Sequence, residues 1–343
     1  MSPFGLRQLL TTLLTSALLY LPFAALALFV GSTGIHWPTP DQLPFRRDAV
    51  LLASLVGASL GLAGVAYQAV LRNPLADPYL LGISSGATLA SYLWQFRLGS
   101  LVGVTLLQSA ALSLGQQGFS FAGALISVAI VFSLSSRAGR LDPITLLLVG
   151  VIVNAINGSL FLLLNALTRD LPAAGSAFSF LVGGLQPNLT SAQLLTTSAI
   201  LLLTFLILMY LTPHLNTATT SDAEALSLGT RIHLLRWITL LTASLLTAAA
   251  VSCSGPIGFV GLVSPHLARL LVGNDHRKLL PLSTSLGASL LVLADASSRL
   301  LAHDSLAQTL LPVGVLTGLL GGPFFLLLLH QSRHQLSSPE SLS

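Results

Sequence analysis

The sequence predicts an all-α membrane protein of about ten transmembrane helices, and three observations carry that expectation. The 343 residues are 53% hydrophobic and hold only 15 Lys+Arg and 11 Asp+Glu, where a soluble domain of this length would hold roughly 85 charged residues. Uncharged apolar stretches recur along the whole chain, most of them close to the ~20 residues that cross a hydrocarbon core as a helix. They are rich in Leu and Ala, and backbone amides in lipid must be satisfied within their own segment, which favours helices over strands. The charge deficit excludes an ordinary water-soluble enzyme, and the high hydrophobicity excludes disorder.

Ten segments fit: 8–30, 49–70, 78–96, 115–135, 143–167, 191–211, 233–253, 256–272, 279–297 and 312–330. The first follows Arg7 and contains Ala25-Leu26-Ala27, a small-x-small pattern of the kind cleaved after signal peptides. Its apolar run exceeds the ~7–15 residues of a signal core, so it is read as a membrane helix. The eighth is short and carries His266 and Arg269. An even number of crossings leaves both termini on one face. The basic residues divide ten against five in favour of that face, which makes it cytoplasmic by the positive-inside rule.

Local punctuation agrees with several boundaries. Asp77-Pro78 and Asp142-Pro143 each set a capping carboxylate before a proline at the first helical position, where the missing N–H costs nothing. Asn73-Pro74 closes the second helix, because the residue before proline is pushed out of the α region. Gly57 and Gly61, with Gly64 nearby, and Gly314, Gly318 and Gly322 form small-xxx-small faces that let membrane helices approach closely. A faint internal echo relates Ile83-Ser84-Ser85-Gly86-Ala87 to Thr284-Ser285-Leu286-Gly287-Ala288, as repeats do in transporter folds.

No catalytic constellation is present in the sequence. A phosphate-cradling loop needs Gly-Lys-Ser/Thr, and the single lysine is Lys278, in His276-Arg277-Lys278-Leu279. His266 with His276, and His303 with Asp304, lack the convergent spacing of a metal site, so neither metal nor cofactor is expected on this chain. The lone Cys253 reads as a small buried hydrophobe. The basic residues are scattered singly, which argues against nucleic acid as a partner.

Asp295 and Arg299 stand four apart on one helix face. They are open to three readings: a salt bridge near a helix end, a role for Arg299 at the outer surface, or a proton relay through Asp295. Residues 212–237 are the most polar stretch. Ser221-Asp222-Ala223-Glu224 has capping-box spacing, Gly229 is placed to stop a short helix, and Thr230 is placed to cap the next one. The result is a small firm knob suited to a partner's groove, or a plain connector.

Longer motifs resemble a known family. Gln68-Ala69-Val70-Leu71-Arg72-Asn73-Pro74-Leu75-Ala76-Asp77-Pro78, continuing through Leu81 to Ala87, is similar to the signature of the FecCD/BtuC permeases. These are the membrane subunits of ATP-binding-cassette importers for iron–siderophore complexes, haem and cobalamin. Gly255 to His266 with Asp275-His276-Arg277 resembles the second signature, and Leu293-Ala294-Asp295 through Arg299 and Leu311 through Pro323 resemble the C-terminal part. The similarity runs in order over nearly the whole chain. It implies one permease domain over 1–343, of the type II importer fold, paired with itself or a sister permease. Two cytoplasmic ATPases, which bind ATP and Mg, sit below, and a periplasmic binding protein docks above.

Residue by residue, the resemblance implies that 212–237 is the coupling segment to the ATPases, through Asp222, Glu224, Leu228 and Gly229. It implies a translocation pathway or gate at Gln68, Gly150, Asn154, Gly183 and Gly184, and binding-protein docking through Arg46, Arg47 and Arg299. The family's Arg-Leu-Pro-Arg at the start of helix two stands here as Arg46-Arg47-Asp48-Ala49, a departure at its second arginine. The expected function is import of a ferric siderophore across a bacterial inner membrane by alternating access. Cobalamin or haem are alternative cargoes. The competing class is an ion-coupled carrier working without an ATPase, with Asp295 or His266 moving protons.

Overall fold

A computed structural model describes residues 5–31, 34–95, 105–137, 140–167, 182–185, 191–304 and 311–337. Among them run eleven α-helices: α1 (Leu6–Phe29), α2 (Leu43–Leu71), α3 (Ile83–Gln95), α4 (Thr105–Ser135), α5 (Pro143–Leu167), α6 (Ser191–Thr220), α7 (Asp222–Ser227), α8 (Ile232–Ser254), α9 (Val260–Val272), α10 (His276–Asp304) and α11 (Val313–Ser337). Two short antiparallel pairs, Val30–Gly31 with Gly34–Ile35 and Ser136–Arg137 with Arg140–Leu141, follow α1 and α4. Each of the ten expected segments holds one helix, and α7 is the knob. Seven helices are long and apolar enough to cross a membrane alone (α1, α2, α4, α5, α6, α8 and α10), while α9 and the apolar part of α11 are shorter.

Several boundaries differ from expectation for identifiable reasons. Pro78 opens a 3₁₀ turn, Pro78–Leu81, instead of α3. Asp77 caps that turn by accepting from the Tyr79 N–H at 3.0 Å, and Gly82, at φ +74°, breaks it from α3. α2 stops at Leu71 because Arg72 adopts a left-handed backbone, two residues before Pro74. α4 is bent at Gly115 (φ +66°), where the fourth segment was expected to begin. α6 runs through Pro213 to Thr220, nine residues past the expected end, so helices enter the 212–237 stretch from both sides. The Asp142-Pro143 start falls where the sequence places it: the Asp142 carboxylate accepts from the Thr145 N–H at 2.9 Å and from its hydroxyl at 2.5 Å. These bonds hold its pKa below the usual 3.8.

α2 is the hub. From Val56 to Leu71 it is mostly apolar and buried at every position, as a helix without a polar face must be. Its packing rests on glycine. A Cβ on Gly57 would strike the Gly287 carbonyl of α10, one on Gly61 would lie 2.5 Å from the Ser283 carbonyl oxygen, and one on Gly64 would strike the Gly261 carbonyl of α9. The Ser283 hydroxyl donates to the Gly61 carbonyl at 2.9 Å. The internal echo has a packing meaning: Gly86 abuts Gly123 and Ser127 of α4 as Gly287 abuts Gly57.

The α11 glycines behave differently from expectation. Gly314 lies against the Val182 carbonyl, but a Cβ on Gly318 or Gly322 would meet nothing within 4 Å, and Gly321 packs on Phe259 instead. The close-packing face expected at Gly314, Gly318 and Gly322 is therefore a packing face within the chain only at its first glycine.

Candidate translocation and coupling elements

The knob is a single capped turn. The Ser221 hydroxyl accepts from the Glu224 N–H at 3.0 Å, as the capping-box spacing requires. At the other end Gly229 (φ +77°) adopts the left-handed form, and the Thr230 N–H reaches the Ala225 carbonyl at 2.9 Å, closing a Schellman motif. Ala225 is the buried foot, whereas Leu226 and Leu228 stand 60% and 64% exposed beside exposed Glu224. The side chain of Asp222 lies outside the described residues. Thr230 does not cap α8: its hydroxyl pairs with His214 Nδ1 at 3.3 Å and ties the knob back to α6, while Arg231 occupies the cap position without a side-chain bond.

Two distant motifs converge on a cavity of about 530 Å³ lined by Leu75, Asp77, Tyr79, Val182, Pro256, Phe259, Gly314 and Gly318, among others. The Asp77 carboxylate joins them: one oxygen holds the Tyr79 N–H and the other accepts from the Phe259 N–H at 3.0 Å. Phe259 is left-handed (φ 68°), a conformation that costs a non-glycine residue about 1–3 kcal/mol and persists where its surroundings over-determine it. Burial raises the Asp77 pKa, and the two N–H bonds oppose that rise. The sequence marked Asp77 only as a cap. Its second bond, across 182 residues, had no local signal.

The expected pathway residues separate. Gly183 sits beside this cavity, with its carbonyl accepting from the Gly314 N–H at 2.9 Å, and Gly184 is buried next to it. Gly150 is buried under the Gly82 turn, and Asn154 is half-buried on α5. Neither lines the cavity. The polar link on α5 is Asn157, which donates to the Ser85 and Ser127 hydroxyls at 3.1 Å each. Gln68 lies elsewhere, in a polar pocket with Arg72 and Arg269.

Of the arginines expected to dock a binding protein, two are engaged within the chain. Arg46 is only 6% exposed and donates to the Leu28, Phe29 and His36 carbonyls at 3.1, 2.9 and 3.0 Å. Arg299 pairs with Asp295 and donates to the Val30 carbonyl at 3.2 Å. Both cations thus serve the orphan carbonyls at the end of α1, where a helix favours positive charge. Arg47 alone is displayed, 62% exposed beside Asp48. Asp295 is held by Arg299 on its own helix face, the salt-bridge reading of that pair.

Residues 12–331 match the sequence model of the FecCD transport family. The chain belongs to that family. Among FecCD relatives, it is 36% identical over 286 residues to the cobalamin import system permease protein BtuC of Halobacterium salinarum, covering 83% of this chain and 72% of the relative. It is 39% identical over 295 residues to the hemin transport system permease protein HmuU of Yersinia pestis, covering 86% and 84%. A solved transporter assigned to the metal-chelate ABC type, in an inward-facing conformation, superposes with a TM-score of 0.76 at 29% identity over 94% of this chain and 99% of the other. Like its relatives, this FecCD chain is a multi-pass ABC-transporter permease, not an enzyme. Hydrolysis belongs to a separate ATPase, and substrate-binding partners and a dimeric arrangement go with that class.

Proposed function

We propose that this permease carries a ferric siderophore across a bacterial inner membrane, with both termini cytoplasmic, one domain over 1–343 and 212–237 as its coupling segment. Cobalamin and haem are the alternative cargoes. All three are bulky metal chelates, which is the chemistry shared by the cobalamin and hemin relatives. A pathway that releases so large a cargo gains from weak, mainly apolar walls, and the cavity joining the two signature motifs is of that kind, with Asp77 turned to backbone N–H groups.

The observation that carries the reading is the knob. Leu226 and Leu228 are exposed on a turn fixed at both ends, an apolar tip that a water-facing loop has no reason to keep unless a partner covers it. In this reading two ATPases grip Asp222, Glu224, Leu228 and Gly229, and closure of the ATPase pair drives the knob. A second permease, identical or sister, completes the pathway lined by Gly150, Asn154, Gly183 and Gly184. The open glycines Gly318 and Gly322 supply a face for that second copy. A binding protein delivers cargo at the outer face near Arg47. ATP and Mg stay on the partner.

The test is uptake in proteoliposomes that contain the permease, its ATPase and its binding protein. Import should require internal ATP and survive proton uncouplers, and Glu224→Arg or Gly229→Pro should leave ATP hydrolysis running while uptake falls at least tenfold. Transport by the permease alone, or full uptake in both variants, overturns the proposal. Ferric siderophore, haemin and cobalamin supplied in turn with the cognate binding protein identify the cargo.

A further inference from the structure

The signature residues Gln68 and Arg72 open onto a second pocket, separate from the cavity at Asp77. It measures about 380 Å³ and is lined by Gln68, Arg72, Thr219, Arg269, Asn274 and His276, with Ala69 and Pro74 completing it. It lies where the end of α2, the end of α6, α9 and the α9–α10 turn meet. No carboxylate lines it. Asp275, next in the chain to the lining residues Asn274 and His276, is engaged: it accepts from Asn216 Nδ2 at 2.8 Å and from the Arg277 N–H at 3.1 Å.

Five buried side-chain polar atoms among the described residues have no partner, and two of them, Gln68 Oε1 and Arg269 Nη1, belong to side chains of this one pocket. Gln68 is 3% exposed. Its amide orientation is set by the Ala76 carbonyl, which accepts from Nε2 at 3.3 Å, so the orphan is an acceptor. The Arg269 orphan is a cationic donor. Buried polar groups are almost always satisfied, and an exception asks what satisfies it. The missing group must offer Arg269 a negative oxygen and Gln68 a hydroxyl hydrogen. Arg72 brings a second guanidinium to the same wall, with its Nε donating to the Ala218 carbonyl at 2.9 Å, while the Thr219 hydroxyl is spent on the Asn216 carbonyl. A guanidinium fork matches phosphate oxygens, and a simple carboxylate would leave Gln68 unsatisfied.

We infer that this pocket binds a hydroxyl-bearing phosphate group, held by Arg269 and Arg72 through its oxygens and by Gln68 through its hydroxyl. Two sources share that chemistry: the phosphoglycerol headgroup of an anionic phospholipid and inorganic hydrogen phosphate. The inference goes beyond the transport reading and does not depend on which cargo is carried.

The full chain, purified in a neutral detergent and stripped of lipid, is titrated with inorganic phosphate and separately with short-chain phosphatidylglycerol. Potassium chloride and short-chain phosphatidylcholine are the controls, and binding is read from ³¹P line broadening and from the thermal midpoint. Saturable binding of either probe, absent with the controls, is expected. Phosphate binding identifies the free anion, and binding of phosphatidylglycerol alone identifies the lipid. Arg269→Gln should abolish binding. Because removing a buried cation can also disturb folding, Asn274→Asp, at the exposed rim, is the second variant, and it should weaken binding at least tenfold. Absence of binding by both probes, or equal binding by wild type and Asn274→Asp, overturns the inference.

Discussion

Gly61→Ala and Gly322→Ala make the same chemical change on two helices, yet they should have opposite consequences. The added methyl at Gly61 would lie 2.5 Å from the Ser283 carbonyl oxygen and 3.0 Å from Ser264 Oγ. The Ser283 contact is short by about 0.8 Å of an ordinary C···O approach near 3.3 Å. Neither α2 nor α10 can yield locally, because Gly57 and Gly287 already bring their backbones together one turn away. The helices must separate, which also stretches the Ser283–Gly61 hydrogen bond. Overpacking of this kind costs about 1–3 kcal/mol. At Gly322 the methyl meets nothing within 4 Å, and replacing a mid-helix glycine gains about 0.5–1 kcal/mol.

Cys253, the only cysteine, is buried, so the rate at which a thiol-reactive dye labels it on heating reports unfolding. The apparent midpoint of Gly61→Ala should fall by about 2–6 °C, and that of Gly322→Ala should hold or rise in the monomer. Equal loss in both variants would refute the glycine assignments. A loss confined to the dimer in Gly322→Ala would instead place the second protomer on α11.

Arg46→Met should lower the same midpoint, at a cost of about 2 kcal/mol from carbonyls left without a donor, while Arg47→Ala leaves it unchanged; a silent Arg46→Met would return that residue to a surface role. Asp77 gives a pH signature. Its folded pKa is raised above the ordinary 3.8, so the stability it contributes is present below that value and is lost as pH rises through the folded pKa. Asp77→Asn, neutral throughout, should flatten the fall in midpoint as pH rises above about 4, and parallel curves for the two proteins would contradict the burial argument.

Class and helix placement are legible in the sequence because both depend on local composition. A run of apolar residues in lipid has no alternative to a helix, and the Asp142-Pro143 and Ser221-to-Gly229 signals act over a few residues. What the sequence does not reveal is which surfaces meet. Gly57 and Gly318 sit in the same kind of spacing, yet one touches a backbone and the other touches nothing, a difference made by helices far away in the chain. A docking role for Arg46 and Arg299 is what the family resemblance implies, and their bonds within the chain, to carbonyls at the end of α1, have no local signal. The second bond of Asp77 and the left-handed Phe259 depend on each other, and neither residue announces the arrangement alone.

The glycine contacts along α2 bear on how such a molecule could move. Packed helices slide past one another by exchanging rotamers in the side-chain layer between them, and where α2 meets α10 and α9 that layer is missing at Gly57, Gly61 and Gly64. The three helices form a keel that can tilt only as one piece. Any rearrangement between outward and inward states therefore falls to the helices mounted around it, and to the bent or strained joints at Gly115 and Phe259.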